Sequence, residues 1–401
     1  MLTPKQLLEV VDTMQLVFDD LNIFMVRDMV RRAVTQTGKG KPLFPIVFKV
    51  WEKEVYKEAG SHMEAVKAEV RKFLKSSDAE VQAIFEEAAA VSVETDAAVF
   101  KASGIELPKS LMSEPMVELL EANYHRTNGE IRNFTRTTAE ASQQRYIEAL
   151  DKAYTEVMTG TKSYTRAIKD MVNNISTHQT QVIYPTGHLD PIEVAVLRAV
   201  QTGVSQACGD MSLKQMEEFN WDLIRTSAHL GARYGDGGEN PGNHFWWQGK
   251  LYSRSGKDPK YPPFSETGYG TGEGLCGWNC RHSFGPGDPN FNPFKDYDAE
   301  ENKKAYDLSQ KQRRREASIR KSKIKLIGLR EGIEVAEDPE VKTTLQAEYD
   351  KTALRLQRQN ADYRSFCSDN KLATYDDRLM VAKWNRSQAA KASAAARRMA
   401  K

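Results

Sequence analysis

The sequence is poor in cysteine and has no long apolar run. Four cysteines in 401 residues are too few for a disulfide framework and favour synthesis in a reducing compartment. No run of about 18 uncharged apolar residues occurs, which excludes a membrane span. Glu9 places an acidic residue where a secretory signal peptide would be basic, so we expect no Sec export.

The composition is that of a globular protein, with 40% hydrophobic and 28% charged residues, and the length predicts two or three domains. Charge is unevenly distributed. Residues 295–401 hold 25 Lys and Arg against 17 Asp and Glu, whereas residues 1–294 hold 32 against 38. A tail of net +8 on a body of net −6 indicates an acidic partner such as nucleic acid, or a solvated helical face with surplus lysines.

The first segment predicts a helix. Thr3 and Gln6 form a capping box, and apolar residues then recur every three to four positions over residues 7–29. The apolar stripe is wide, so we expect this helix to be buried or docked on a partner. Glycine and proline at residues 38–42 predict its end.

Further helices are predicted over the rest of residues 1–208, which read as a helical scaffold domain. A second capping box at residues 77–80 predicts a new helix start, and residues 127–129 predict a break between two helices. Residues 181–187 are compatible with a small hairpin.

The composition changes in the second segment, residues 209–295. Fourteen of the 25 glycines lie between residues 231 and 287, and four of the six tryptophans lie between residues 221 and 278. Glycine breaks helices and tryptophan buries a large area, so we expect a loop-rich α+β domain. Short strands are predicted near residues 222–227 and 245–253.

Helix returns in the third segment, residues 296–401. Two long polar helices over residues 300–335 and 338–366 predict an antiparallel hairpin, followed by a basic, alanine-rich tail. The predicted fold class is therefore mainly α, with a small loop-rich α+β central domain and a long C-terminal helical hairpin.

The strongest local motif places Cys276, Cys280 and His282 within seven residues. These side chains could supply three ligands to zinc, with a fourth from His229 or His244. The alternative is structural: two buried cysteines in a tight turn and a hydrogen-bonded histidine.

A second constellation combines His229, Arg233 and His244, and with His282 it could form an acid–base site. No carboxylate stands at an informative spacing, and neither a nucleophile elbow nor a phosphate-binding Gly-Lys-Ser/Thr loop is present. The alternative is a polar network that holds a loop-rich fold together.

A third motif is a dense run of cations in the first helix of the predicted hairpin. Such a stretch could contact phosphates without reading bases, because no aromatic residues interleave with it. A solvated helical face is the alternative. The candidate nucleic-acid contacts are Lys311, Arg313, Arg314, Arg315, Arg320, Lys321, Lys323 and Lys325.

Several sequence segments together resemble the type-2 family of tailed-phage minor capsid proteins. The resemblance covers about residues 110–385, and a glycine-rich stretch before His244, residues 234–243, departs from the family pattern. The segments that carry it are residues 123–139, 193–204, 227–233, 247–256 and 267–282.

The resemblance implies a structural virion protein without catalysis, similar in role to Mu-type head-morphogenesis proteins. It implies the portal protein and other capsid subunits as partners, with packaged DNA as a nonspecific one. The implied location is the phage head or portal vertex, with host cytoplasm during assembly. The rival interpretation is a capsid-carried enzyme, a metal-dependent nuclease or toxin-like activity that uses His229, Arg233, His244 and His282.

Overall fold

The computed structural model describes residues 1–12, 15–38, 48–177, 181–184 and 186–400. Within these ranges, no helix combines the length and the apolarity that a bilayer crossing requires. The helices are α1 (Pro4–Asp12), α2 (Gln15–Gly38), α3 (Phe48–Ala102), α4 (Glu114–Met158), α5 (Tyr164–Thr177), α6 (Ile192–Glu218), α7 (His244–Trp247), α8 (Ala299–Val335), α9 (Pro339–Asp369) and α10 (Arg386–Ala400). The strands are β1 (Gln181–Ile183), β2 (Leu189–Pro191), β3 (Leu223–Thr226), β4 (Leu251–Ser253) and β5 (Phe284–Pro286). The prediction of a mainly α protein with a small β-containing centre is confirmed.

The chain divides into two compact units, each built from three separate stretches. The first unit comprises Met1–Met14, Ser76–Ile131 and Val196–Lys311. The second unit comprises Gln15–Lys75, Arg132–Ala195 and Gln312–Lys401. The consecutive segments 1–208, 209–295 and 296–401 stay a proposal based on composition, whereas the compact units gather stretches that are distant in the sequence.

The predicted N-terminal helix is present as α1 and α2, on either side of residues 13–14, which lie outside the described residues. The capping box forms: the Gln6 N–H donates to Thr3 Oγ1 at 3.2 Å, and the Thr3 N–H donates to Gln6 Oε1 at 2.8 Å. In the second unit, Val26 and Val30 of α2 are fully buried, and a Cβ added at Gly328 of α8 would lie 3.3 Å from Val26. The chain itself therefore covers this apolar face.

Helix α3 continues through residues 77–80, so the predicted helix start there is wrong. The reason is tertiary: Asp78, which lies between the box residues Ser77 and Glu80, is engaged by α4 within a continuous helix. Its Oδ1 accepts a hydrogen bond from the Tyr124 hydroxyl at 2.8 Å and another from the Asn128 side-chain amide. Packing between helices thus overrides a local capping signal.

Helix α4 likewise continues through residues 127–129, where the sequence predicted a break. Thr127 lies against Gly203 of α6, where an added Cβ would overlap the threonine hydroxyl and come within 3.1 Å of the Phe85 ring. The absence of a side chain at position 203 lets α3, α4 and α6 approach closely. Gly129, by contrast, faces open space.

The loop-rich centre of the first unit is organised by a three-stranded antiparallel sheet with the order β4–β3–β5. Strand β3 fits the prediction for residues 222–227, but residues 244–247 form the helical turn α7, so only the end of the predicted 245–253 strand is a strand. Beside the sheet lies a core of buried aromatic, aliphatic and cysteine side chains. Its members include Ile224, Trp247, Tyr252, Leu275, Cys276, Cys280 and Phe284.

The predicted C-terminal hairpin is present as α8 and α9. Asp338 caps α9 by accepting the Glu340 N–H at 2.8 Å. In the second unit, Ser322 of α8 donates to Gln359 of α9 at 2.7 Å. Helix α10 packs on α9 and buries Ala395, so small side chains supply the contact face of the alanine-rich tail.

Candidate functional site

The candidate site lies in the first unit, where three chain segments meet beside the sheet. One segment follows β3, one contains α7, and one precedes β5. Pairing of β3 with β5 extends past the strands, because the Ser227 N–H donates to the Ser283 carbonyl at 2.9 Å. This extension places His229 beside His282, with stacked rings whose centroids are 4.5 Å apart.

The short helix α7 presents His244 to the site. Asn243 caps this turn through its side chain, which accepts the Trp246 N–H at 3.2 Å. The Nε2 atom of His244 lies 2.8 Å from the Glu273 carbonyl oxygen. A carbonyl can only accept a hydrogen bond, so the proton of a neutral His244 ring resides on Nε2.

Gln248, directly after α7, orients His282. Its Oε1 lies 3.0 Å from His282 Nε2 and also accepts the His229 N–H at 3.0 Å. The His229 N–H can only donate, so the Gln248 atom that it meets is the amide oxygen. An amide oxygen can only accept, so His282 carries its proton on Nε2. The Trp247 ring meets His282 at 70°, with centroids 4.7 Å apart, and closes one side of the site.

The segment before β5 carries the two cysteines on an unusual backbone. Cys276 and Asn279 have φ of 57° and 55°, a left-handed conformation that is rare for residues other than glycine. Two glutamines of α6 hold the segment: Gln206 donates to the Cys276 carbonyl at 3.2 Å, and Gln201 donates to the Cys280 carbonyl at 3.1 Å. Side chains from a neighbouring helix therefore stabilise the turn.

The sequence predicted Cys276, Cys280 and His282 as a ligand set, and the structure groups the side chains differently. One potential ligand atom each from His244, Cys280 and His282 lie within 4.8 Å of one another. Cys276 is not in this group, although both cysteine sulfurs lie beside the His282 carbonyl oxygen, Cys276 Sγ at 3.7 Å and Cys280 Sγ at 3.8 Å. His244, which the sequence offered only as a possible fourth ligand, thus takes the place of Cys276 in the group.

Burial controls the protonation of this cluster. It lowers the pKa of His244 to about 4, with a further contribution from the Arg233 guanidinium. Burial, together with the neighbouring imidazoles, lowers the pKa of His282 well below its usual range. It also raises the pKa of the Cys280 thiol to about 11. Near neutral pH both histidines are therefore uncharged and carry a free lone pair on one ring nitrogen.

A family model described as phage minor capsid protein 2 matches residues 2–367. The chain belongs to this family. The match covers most of the first and second units and includes the complete histidine–cysteine cluster.

A curated relative described as a structural protein, from Lactococcus phage LL-H, is 27% identical over 187 residues. The alignment covers 44% of this chain and 48% of the relative, so the chain matches about half the length of that protein. No solved structure matches the chain.

The alternative enzymatic interpretation rests on four residues, and all of them lie in the first unit. They are His229, Arg233, His244 and His282. His244 and His282 have ring centroids 5.5 Å apart, and His229 stacks on His282. Arg233 donates to the Trp278 carbonyl oxygen at 2.6 Å, so its guanidinium holds the loop. The cluster is thus assembled largely from groups that bind one another and the backbone.

Sequence reasoning missed Gln248 and the α6 glutamines as residues that organise the site. Gln248 stands within residues 247–256, a segment that carried the family resemblance. Gln248 is buried and forms hydrogen bonds to His229 and His282. These partners lie 19 and 34 residues away along the chain. No local periodicity marks such a residue.

The structure separates the eight candidate nucleic-acid contacts, all of which lie in α8, into two groups. Lys311, Arg314 and Lys321 are exposed. The others are partly buried and several have acidic or carbonyl partners, which the surplus of cations in the sequence did not reveal. These are Arg313, Arg315 with Asp362 at 2.9 Å, Arg320 with Asp19 at 2.6 Å, Lys323 with the Leu379 carbonyl at 2.5 Å, and Lys325 with Glu348 at 2.7 Å.

Proposed function

We propose that the chain is a structural component of the phage particle, positioned at the portal or inside the head, and that it acts by binding other virion subunits. Membership of the phage minor capsid protein 2 family supports the structural role. The description of the Lactococcus phage relative as a structural protein points the same way. The portal and other capsid subunits are the proposed partners.

The observation that carries this proposal against an enzymatic one is the burial of His244 and His282. His282 is completely buried and His244 is only 2% exposed. A general acid or base must reach the proton that it transfers, directly or through one water. Groups enclosed among Trp247, Gln248 and the cysteine segment are better suited to holding the loop-rich fold together than to meeting a substrate.

The first unit also exposes large aromatic side chains that could contact a partner. Trp278 is 59% exposed and Phe291 is 61% exposed. Tryptophan is enriched among the residues that dominate binding energy at protein interfaces. Trp278 follows Cys276 by two residues, so the loop that is anchored inside the unit carries an aromatic side chain outside it.

We expect phage that carry Trp278→Ala to incorporate about tenfold less of this protein per particle, because losing an interface anchor costs on the order of 1.4 kcal/mol or more. Quantitative mass spectrometry of purified particles, normalised to the major capsid protein, measures this. Met399→Ala, a change at a side chain of the second unit that is 45% exposed, is the control and should leave incorporation unchanged. Unchanged incorporation of Trp278→Ala would remove Trp278 from the interface. Absence of the wild-type protein from complete particles would contradict the structural role itself.

A second proposed contact is nonspecific binding to packaged DNA, favoured by the exposed cations of α8. We expect the full chain to bind duplex DNA weakly, with log affinity falling by about 0.9 per log salt for each phosphate contacted. Arg314→Gln with Lys321→Gln should reduce that slope by about two phosphate contacts. Arg313→Gln is the matched control, because Arg313 is partly buried and burial lowers its pKa. Absence of binding at low salt, or an equal effect of Arg313→Gln, would contradict this proposal.

A further inference from the structure

We propose that His244, Cys280 and His282 bind a zinc ion inside the first unit. Each residue offers one ligand atom, and these atoms lie within 4.8 Å of one another. A tetrahedral zinc ion with typical bond lengths separates a thiolate sulfur from an imidazole nitrogen by about 3.6 Å. The observed distance from Cys280 Sγ to His282 Nδ1 is 3.7 Å. This pair needs almost no movement to bind the ion.

The hydrogen bonds around the cluster leave one ring nitrogen of His244 and one of His282 available to a metal ion. Histidines that bind zinc usually donate their other ring N–H to a carbonyl or carboxylate oxygen. His282 does so through Nε2 to Gln248 Oε1, and His244 does so through Nε2 to the Glu273 carbonyl. In both residues the nitrogen left for a metal is Nδ1.

The chemistry of the donor set selects the ion. One sulfur and two imidazole nitrogens suit zinc, whereas magnesium and calcium prefer oxygen ligands. All three residues are at most 2% exposed, so the ion would be enclosed by protein. An enclosed ion that joins α7 to the segment before β5 would cross-link the loop-rich part of the first unit.

Cys276 distinguishes this proposal from the ligand set that the sequence suggested. Its Sγ lies outside the group formed by the other three residues, although both cysteine sulfurs lie within 3.8 Å of the His282 carbonyl oxygen. The structure therefore assigns His244, Cys280 and His282 as the protein ligands. Cys276 is a buried cysteine of the same loop and so provides a matched control.

The test is elemental analysis of the full-length protein, produced in zinc-supplemented medium and freed of any polyhistidine tag. We expect about one zinc ion per chain in the wild type and at least a fivefold loss in Cys280→Ser. Cys276→Ser should retain the wild-type content. Cobalt substitution of the wild type provides a second readout, because a thiolate ligand produces a sulfur-to-cobalt absorption band that is visible even if Cys280→Ser does not fold.

Two results would overturn the proposal. One is a wild-type protein that contains less than about 0.2 zinc per chain and shows no thiolate band with cobalt. The other is an equal loss of zinc in Cys276→Ser and Cys280→Ser, which would restore the ligand set inferred from the sequence. Neither result bears on incorporation into particles, so the zinc site and the proposed structural role fail independently.

Discussion

Replacing Arg320 by methionine is expected to lower the free energy of unfolding by about 3–5 kcal/mol at about pH 9, where Asp19 is ionised, because removing one partner of a buried ion pair leaves uncompensated charge. In the second unit, Arg320 Nη2 lies 2.6 Å from Asp19 Oδ1 and 3.4 Å from Glu193 Oε1. The two carboxylate side chains are at most 4% exposed. Solvent therefore cannot readily replace the guanidinium. Urea denaturation of the full chain measures the change.

The pH dependence identifies the cause. Burial raises the pKa of Asp19 from 3.8 to about 7. A folded-state pKa above the unfolded value means that the folded protein binds the proton more tightly. This contribution is present below about pH 4 and is lost as the pH rises through 7. Burial also raises the pKa of Glu193. The cost of Arg320→Met should consequently be small near pH 4, where both carboxyl groups are protonated, and large at about pH 9, where Asp19 is ionised.

The matched control is Arg136→Met, the same substitution in an exposed pair. Arg136 and Glu140 lie 3.7 Å apart and are 69% and 58% exposed, so their interaction is screened by water and contributes little. We expect no change beyond experimental error. A cost for Arg320→Met that is equally large at pH 4 would show that lost packing, and not charge, is responsible.

Gly277→Ala is expected to destabilise the first unit by about 3 kcal/mol, because the added methyl group meets backbone that cannot rotate away. A Cβ at position 277 would lie 2.5 Å from the carbonyl oxygens of both Gly272 and Thr271. Neither atom can move without displacing the chain segment that leads to Cys276. Thermal unfolding followed by tryptophan fluorescence measures the loss, since Trp247 is buried in this core.

Gly129→Ala is the control for that experiment. Position 129 lies in helix α4 of the same unit, and nothing stands within 4 Å of an added Cβ. Alanine is favoured over glycine in a helix by up to about 1 kcal/mol, so this variant should be slightly more stable than the wild type. Equal effects of the two substitutions would mean that the backbone around Gly277 relaxes freely.

The sequence by itself determined the fold class and many local features. Thr3 with Gln6, and Asp338 with Glu340, form the caps that their spacing predicts. Periodic apolar residues located most of the helices, and the concentration of glycine and tryptophan located the loop-rich centre. Each of these signals involves residues within a few positions of one another, where backbone geometry alone brings side chains together. The family resemblance was also readable from the sequence, as the match over residues 2–367 shows.

Only the tertiary structure decided which of several equivalent residues meet. Cys276 and Cys280 are alike in the sequence, but only Cys280 places its sulfur in the group with His244 and His282. Ser77 and Glu80 have the spacing of a capping box, yet Asp78 between them bonds to Tyr124 and Asn128, which are 46 and 50 positions away, and the helix is continuous there. Of the eight candidate nucleic-acid contacts in α8, the five partly buried ones are separated from the three exposed ones in the same manner, since Arg320 and Asp19 are 301 residues apart. Contacts over such separations depend on how helices and loops pack, and no local pattern records that packing.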